Sequence, residues 1–218
     1  QGIMVGYATA ETPSLMPLEV DLARKLVRAM GARDGKAQVT VDHGRVVSFL
    51  TSVCGEYPKE LLKVAREDVA PHLAHGKTLK DVWTKNPNGP WTIGGFHADS
   101  GLTGRKIVVD AYGPKIPVGG GAFSGKDATK VARSAAYMAR KIAADRVRRG
   151  AKEARVSIAY AIGVAEPVAA IVIADGVEER VRGYDLRPRA IIESLDLRKP
   201  QFLQTARHGH FGNSYAWD

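Results

Sequence analysis

The stretch that decides the fold runs from Gly89 to Arg133 and reads GPWTIGGFHADSGLTGRKIVVDAYGPKIPVGGGAFSGKDATKVAR. Glycine-rich loops with several lysines and arginines surround one short apolar run, Ile107 to Val109, which we expect to be a strand. A glycine triplet at 119–121 leads into a second loop, and a long alanine-rich helix follows that loop. Asp127, at the end of the loop, is well placed as the N-cap of this helix.

These loops carry the residues that an anion site needs. The backbone N–H groups of a glycine loop and a lysine such as Lys126 can surround a phosphate at a helix N-terminus. Arg105 and Lys106 add two cations, and Asp99 lies six residues before Arg105. The loop is not a Walker A motif, because Gly-Lys is followed here by Asp127 and not by serine or threonine. The residues alone therefore indicate a polyphosphate site with a carboxylate beside it.

Outside this stretch, the order helix, hairpin, helix occurs twice. We expect helices at 15–30 and 58–74 around strands at 36–41 and 46–53, and then helices at 128–149 and 186–195 around strands at 156–162 and 168–173. The turn residues Asn86 to Pro90 mark a domain boundary. The sequence therefore predicts an α+β fold of two similar domains, residues 1–90 and 91–218, each a sheet with helices on one face.

The composition narrows the class of partner. A formal net charge of +9 leaves nucleic acid, an anionic membrane surface and polyanionic substrates open. No pattern of interleaved aromatics, zinc ligands or helix-turn-helix supports a nucleic-acid reader, and no run of about 18 apolar residues predicts a membrane span. The single cysteine, Cys54, excludes an internal disulfide and fits a reducing compartment. We expect a cytoplasmic chain with no nucleic-acid or membrane partner.

The histidine pairs do not predict a metal centre. His72 and His75 are close in the chain, as are His208 and His210, but two ligands do not make a metal site. We therefore expect these four to be surface histidines.

Several long strings resemble, in order, segments of S-adenosylmethionine synthetase (methionine adenosyltransferase). They are QGIMVGYATAET at the start, GLTGRKIVVDAYG at 101–113, GGGAFSGKDATKVARSAAYMARKIA at 119–143, YAIGVAEP at 160–167, and the late DLRP and GHFG. The likeness spans nearly the whole chain. It implies a pseudo-threefold fold of which this chain is the second and third unit. The N-terminal unit, with its His-Pro-Asp-Lys segment, is then missing.

The resemblance also implies a reaction. The family joins ATP to L-methionine to form S-adenosylmethionine and releases pyrophosphate and phosphate, with two Mg²⁺ per site and K⁺ as cofactors. Its active sites lie between two subunits, which implies a homodimer or a dimer of dimers. This chain is then an incomplete enzyme when alone. The alternative is a non-catalytic, regulatory relative that keeps its affinity for nucleotide or polyphosphate.

Residue roles follow from the resemblance, position by position. The residues implied to bind ATP are Asp34, Lys36, Asn88, Trp91, Asp99, Arg105, Lys106, Ala122 and Lys126. Those implied to contact methionine are Asp99 and Lys130. The catalytic set implied is Lys126, Arg105, Lys106, Lys130 and Asp99. In this set the cations hold the phosphates, while Trp91 replaces a family phenylalanine that lies against adenine.

Three departures from the family pattern stand out. Ala132 replaces an aspartate next to the metal and phosphates, and because a methyl group cannot bind Mg²⁺ we assign no metal ligand in this chain. Residues 113–118 replace a loop that contains a histidine in much of the family. The segment Ala174 to Arg182 looks shorter than its family counterpart, so part of a helix is expected to be absent.

Overall fold

A computed structural model describes all of residues 1–218, which form two compact units. The first unit contains Gln1–Pro17 and Thr103–Asp218, and the second contains Leu18–Leu102. Helices combined with two open sheets confirm the predicted α+β class. The N-terminal strand belongs to the first unit because it pairs with a strand near residue 156. The compact units therefore divide the chain differently from the ranges 1–90 and 91–218, which stay a prediction about the family's domains.

The elements are numbered in chain order. They are β1 (Gly2–Thr9), α1 (Leu18–Ala29), β2 (Gly35–Asp42), β3 (Arg45–Val53), α2 (Lys59–Val64), α3 (Leu79–Val82), β4 (Trp83–Lys85), α4 (Ile107–Asp110), α5 (Val131–Arg148), β5 (Glu153–Tyr160), β6 (Ala169–Ala174), β7 (Val177–Arg180), α6 (Pro188–Ser194) and α7 (Phe202–His208). After α2 the chain continues through a π-helical turn, Ala65–Val69, and a 3-10 turn, Ala70–His72. No helix combines the length and the apolar character that crossing a membrane requires.

The first unit is an antiparallel sheet in the order β1-β5-β6-β7, with α5 packed on one face. On β5, Ala154, Val156 and Ile158 face α5 and are buried, and they alternate with side chains that point away from the helix. Gly6 of β1 lies against the backbone of α5. A Cβ at this position would come within 2.0 Å of the Ala139 carbonyl carbon, so only glycine permits this approach.

The second unit is a sheet in the order β2-β3-β4, covered by α1 and α2. Leucines four residues apart on α1 form its buried stripe, as the sequence predicted, and they pack on Phe49 of β3. The strands β2 and β3 join through His43 and Gly44, which both have positive φ (46° and 73°) as a type I′ hairpin turn requires. The predicted hairpin is therefore confirmed.

Several predicted boundaries were wrong for identifiable reasons. The expected strand at Ile107 to Val109 is α4, because the Asp110 N–H donates to the Lys106 carbonyl oxygen at 2.9 Å and closes a helical turn. Asp127 does not cap α5. Its carboxylate accepts hydrogen bonds from the Thr129 N–H (2.7 Å) and hydroxyl, so the helix begins later, with Lys130 as its N-cap. The sequence also gave no signal for β1, β4 and β7 as strands.

A buried arginine on α5 holds the first unit together. The guanidinium of Arg140 donates to the carbonyl oxygens of Tyr7 (2.7 Å), Ser14 (2.9 Å) and Leu15 (2.8 Å), and its Nε lies 3.1 Å from the Asp218 carboxylate. The Arg140 side chain is fully buried. The same carboxylate accepts backbone N–H groups from Gly212, Asn213 and Tyr215. One side chain thereby joins the segment after β1, the middle of α5 and the last residues of the chain.

Replacing Arg140 with methionine is expected to lower the free energy of unfolding by ~3–5 kcal/mol, because the substitution removes the guanidinium that pairs with the buried Asp218 carboxylate and donates to three carbonyl groups. The control is Arg189→Met, since Arg189 is 87% exposed and pairs only with Glu193, so its loss should cost less than ~1 kcal/mol. Urea unfolding followed by circular dichroism measures both variants. Equal stabilities of the two variants would contradict this role of Arg140.

Candidate functional site

The glycine-rich segment forms a tight turn just before α5. The Lys126 N–H donates to the Phe123 carbonyl oxygen at 3.2 Å, and Gly125 between them has a φ of 88°, a value that strongly favours glycine. The Lys126 side chain is half-buried, and its ammonium donates to the Ala122 carbonyl oxygen. The turn therefore presents one lysine together with the backbone of a glycine-rich loop.

A second cationic loop meets this turn at Ala122. Gly104 has a φ of 80°, and a Cβ placed on it would lie 3.0 Å from the Ala122 Cβ. Arg105 and Lys106 follow directly and are exposed at the start of α4. The structure thus brings together the chain segments that carry Arg105, Lys106, Ala122 and Lys126, all within the first unit.

Lys130 lies at the N-terminus of α5 and is exposed. Its ammonium is 3.4 Å from a carboxylate oxygen of Asp127 and 3.1 Å from the hydroxyl oxygen of Thr129. Hydrogen bonds from Thr129 lower the pKa of Asp127 below its usual range, so this carboxylate is negative at neutral pH. The site prediction did not include Asp127, whose charge lies between Lys126 and Lys130 in the chain.

The glycine triplet packs against the position where the family aspartate would stand. A Cβ on Gly121 would lie 3.1 Å from the Ala132 Cβ, and a Cβ on Gly119 would lie 2.9 Å from the carbonyl oxygen of Ile3. A cavity of about 170 Å³ beside the triplet is lined by β1, the triplet and Ala132. No group of three or more His, Cys, Asp or Glu side chains in residues 1–218 could hold a metal ion. Ala132 supplies no oxygen ligand for Mg²⁺ at this position.

In the second unit, Asp34, Lys36 and Trp91 lie near one another. One carboxylate oxygen of Asp34 accepts the Gly95 N–H at 2.8 Å, which ties the start of β2 to the loop that contains Trp91. Lys36 is paired with Ser52 across β2 and β3, so their side chains share the outer face of this sheet. The Ser52 hydroxyl accepts the indole N–H of Trp91 at 3.1 Å. The lysine and the indole are therefore neighbours on that face.

Asn88 and Asp99 are both exposed in the second unit. Asp99 accepts the Gly101 N–H at 2.9 Å and makes no side-chain hydrogen bond to the residues around Trp91. The asparagine that shapes this loop is Asn86. Its amide oxygen accepts the Val53 N–H (2.8 Å) and its amide nitrogen donates to the Val53 carbonyl oxygen (3.2 Å), which extends the pairing beyond β4. The sequence identified Asn86 only as a turn residue.

The expectation of a surface position for His210 was wrong. His210 is 1% exposed, its Nδ1 lies 2.6 Å from the Tyr137 hydroxyl oxygen, and its Nε2 lies 3.3 Å from the Ser124 hydroxyl oxygen. Phe123 and Phe211 pack around the ring. The contact between Ser124 and His210 was not predicted, because contacts between residues 86 positions apart leave no local pattern in a sequence.

A larger, open groove of about 820 Å³ runs along β6 and β7 and contains none of the predicted site residues. Its charged side chains largely neutralise one another. Arg187 pairs with Asp185 and Glu166, and Glu179 pairs with Arg146 of α5. Size alone therefore does not make this groove the site.

Comparisons with known proteins agree with the motifs. The model of the S-adenosylmethionine synthetase central domain matches residues 1–70, and that of the C-terminal domain matches residues 93–218. A solved structure described as an unusual S-adenosylmethionine synthetase from Campylobacter jejuni superposes with a TM-score of 0.88 at 31% identity. The match covers 100% of this chain and 68% of that one.

Curated relatives show the same relationship at higher identity. The S-adenosylmethionine synthase of Desulforudis audaxviator is 47% identical over 97% of this chain and 62% of its own length. That of Sulfurovum sp. is 43% identical over 100% of this chain and 66% of its own length. The chain thus spans just under two thirds of the curated relatives it matches. On these matches and on the motifs that carry them, the chain belongs to the S-adenosylmethionine synthetase family.

Proposed function

We propose that this chain supplies the central and C-terminal parts of a methionine adenosyltransferase, which forms S-adenosylmethionine from ATP and L-methionine. The observation that carries the proposal is the meeting of two cationic, glycine-rich loops at Ala122 in the first unit. Such an arrangement suits a polyphosphate, which is the leaving group of this reaction. The proposal includes a cytoplasmic location, supported by the lone cysteine, Cys54.

The chemistry explains why cations outnumber bases in the site. The methionine sulfur attacks C5′ of the ribose with its own electron pair, the S–C5′ bond forms, and the C5′–O bond breaks to leave its electron pair on the triphosphate. A thioether has no proton to lose, so this step needs no general base. It depends on alignment and on stabilising the negative charge that develops on the triphosphate. We assign that stabilisation to Lys126, Arg105 and Lys106, and we place Lys130 near methionine and phosphate.

We assign recognition of the nucleoside to the second unit. Trp91 offers an indole for stacking on adenine and is held by its bond to Ser52, while Lys36 lies beside it on the same face. Asp34 positions the loop through Gly95. Asn88 and Asp99, both exposed, complete the set proposed to contact adenine, ribose and methionine.

We include Mg²⁺ and K⁺ as cofactors only because the resemblance to the family implies them. Ala132 stands where the resemblance implies an aspartate, and an alanine methyl group cannot bind Mg²⁺. Mg²⁺ bound with a triphosphate would supply positive charge that neutralises the charge of the phosphates.

We propose that two copies of the chain associate through the face of the first unit's sheet that points away from α5. That face carries Ile3 and Val5 of β1 and Ile171 and Ile173 of β6, and Ile3 is 60% exposed. Ser157 and Arg155 of β5 lie between them, and a mixed face of this kind, with exposed apolar residues, fits a subunit interface with sites between subunits. Sedimentation equilibrium should show a dimer or a dimer of dimers, and a monomer at micromolar concentration would contradict the proposal.

Ala132 supports a second candidate, a non-catalytic relative that binds nucleotide or polyphosphate. Without the carboxylate that the resemblance implies at this position, the chain lacks one group next to the metal and phosphates. Such a protein would bind ATP without turning it over.

The experiment that separates the two candidates is an assay of S-adenosylmethionine formation from ATP and methionine with Mg²⁺ and K⁺. It is run on this chain alone and on the chain mixed with the N-terminal domain of a relative. The enzyme proposal expects product in the mixture. ATP binding with no product in either sample would favour the non-catalytic relative.

Replacing Lys126 or Arg105 with alanine should weaken binding of inorganic tripolyphosphate by ~1–3 kcal/mol, because each removes a charge-assisted hydrogen bond. Lys63→Ala is the matched control, since Lys63 is an exposed lysine of the second unit that lies 4.0 Å from Glu67. Isothermal titration calorimetry measures the affinities. If all three variants bound as the wild type does, the phosphate assignment would be refuted.

The fluorescence of Trp91 should respond to ATP but hardly to tripolyphosphate, because only ATP carries the adenine that stacks on the indole. The fluorescence of the other two tryptophans should change little on binding, since Trp217 is fully buried and one face of Trp83 is covered by Phe49. A Trp91→Phe variant should lose the signal while calorimetry still detects ATP. A response of equal size to both ligands would count against stacking.

A further inference from the structure

A chain of buried polar side chains runs from α5 to the phosphate loop of the first unit. Arg133, which is 2% exposed, lies at one end of this series of hydrogen-bonded side chains. Its Nη1 donates to the Lys126 carbonyl oxygen at 2.7 Å, and its Nε donates to the Tyr137 hydroxyl oxygen at 3.0 Å. Tyr137 contacts His210 at 2.6 Å, and His210 contacts Ser124 at 3.3 Å. Both ends of this series of hydrogen bonds therefore contact the turn that contains Lys126.

The donor and acceptor properties of these side chains decide which atom carries each hydrogen in this series of hydrogen bonds. Arg133 can only donate, so the Tyr137 oxygen accepts at that contact. Burial raises the pKa of Tyr137 to about 12, so the tyrosine keeps its own hydroxyl hydrogen. The nearby hydroxyl of Thr205 already accepts from Arg133 (2.9 Å) and donates to the Phe202 carbonyl oxygen (2.8 Å). Since Nδ1 of His210 lies only 2.6 Å from the Tyr137 hydroxyl oxygen, we assign the Tyr137 hydrogen to that contact.

A neutral histidine that accepts at Nδ1 carries its hydrogen on Nε2. That hydrogen points to the Ser124 hydroxyl oxygen, which then uses a lone pair to accept it. The hydrogen of Ser124 is left for another acceptor. Ser124 is only half-buried, and its carbonyl oxygen lies 3.8 Å from the position of a Cβ on Gly104, where the two cationic loops meet.

We infer that His210 is a positioning residue, which orients the Ser124 hydroxyl so that it donates to a phosphate oxygen of the ligand held by Lys126. This rests on the proposed phosphate site and adds two residues to it. Ser124 touches the ligand, while His210 acts only through Ser124. The Lys126 ammonium acts nearly as a point charge, whereas a hydroxyl of fixed orientation selects where a phosphate oxygen lies.

The first test needs no ligand. Long-range ¹H–¹⁵N NMR of the chain labelled at its six histidines reports which ring nitrogen carries the hydrogen. The His210 signal is assigned by its loss in His210→Asn. A neutral ring with the hydrogen on Nε2 is expected, and a ring with the hydrogen on Nδ1 would overturn the inference.

The second test uses two substitutions of the same ring. An asparagine amide lies at about the position of Nδ1 and keeps the contact with Tyr137 but not with Ser124. A glutamine amide reaches the position of Nε2 and keeps the donor to Ser124. His210→Asn should therefore bind inorganic tripolyphosphate about tenfold more weakly than the wild type, the scale of one hydrogen bond to a charged group. His210→Gln should bind at least about fivefold more tightly than His210→Asn. If both variants lost the same tripolyphosphate affinity, in parallel with a lower melting temperature, His210 would serve only in packing.

Ser124→Ala keeps the test decisive if the histidine variants do not fold, because Ser124 lies in a half-buried turn. It should weaken tripolyphosphate binding about as much as His210→Asn does, and the double variant should bind no more weakly than either single one. Wild-type affinity in Ser124→Ala would overturn the inference. If the wild-type chain itself binds no tripolyphosphate, the proposed phosphate site fails together with the role of Ser124. The NMR result still decides the order of hydrogens.

Discussion

The first unit depends on the burial of two guanidinium groups on α5. Arg133 and Arg140 are seven residues apart, which is two helical turns, so both project from one face of the helix. A buried guanidinium is costly unless its N–H groups find acceptors, and each of these finds them in backbone carbonyls or side chains of other segments. α5 therefore fixes the segment after β1 through Arg140 and the phosphate loop through Arg133. The position of Lys126 follows from this helix.

The same constraint explains why the loop can be rich in glycine and still keep one shape. Glycine lets the backbone adopt positive φ at residues 104 and 125 and lets the loops approach Ala122 closely, but it adds conformational freedom. The bond from Arg133 to the Lys126 carbonyl oxygen and the contact between Ser124 and His210 restrict that freedom from two sides. A loop fixed in this way can present N–H groups and a lysine to an anion without first having to be ordered.

Local patterns were enough to predict the α+β class, the hairpin at residues 35–53 and the amphipathic helix α1. They failed where distant contacts decide the structure. The run Ile107 to Val109 is β-branched, as in strands, yet it forms the helical turn α4 between a glycine-rich loop and the aromatic cluster of Tyr112 and Phe211. β1 pairs with β5 about 150 residues later, a partner that no local signal identifies. The roles given to the site residues came from the family resemblance, whereas the buried histidine beside Ser124 became visible only in three dimensions.

The most direct test of this account is a crystal structure of the chain with inorganic tripolyphosphate. The account predicts phosphate oxygens within hydrogen-bonding distance of the Lys126 ammonium and the Arg105 guanidinium, beside Ala122, with the Ser124 hydroxyl donating to one of them. Tripolyphosphate bound elsewhere in the first unit, with the loop at residues 119–126 unoccupied, would contradict the central claim that this loop is the anion site of the chain.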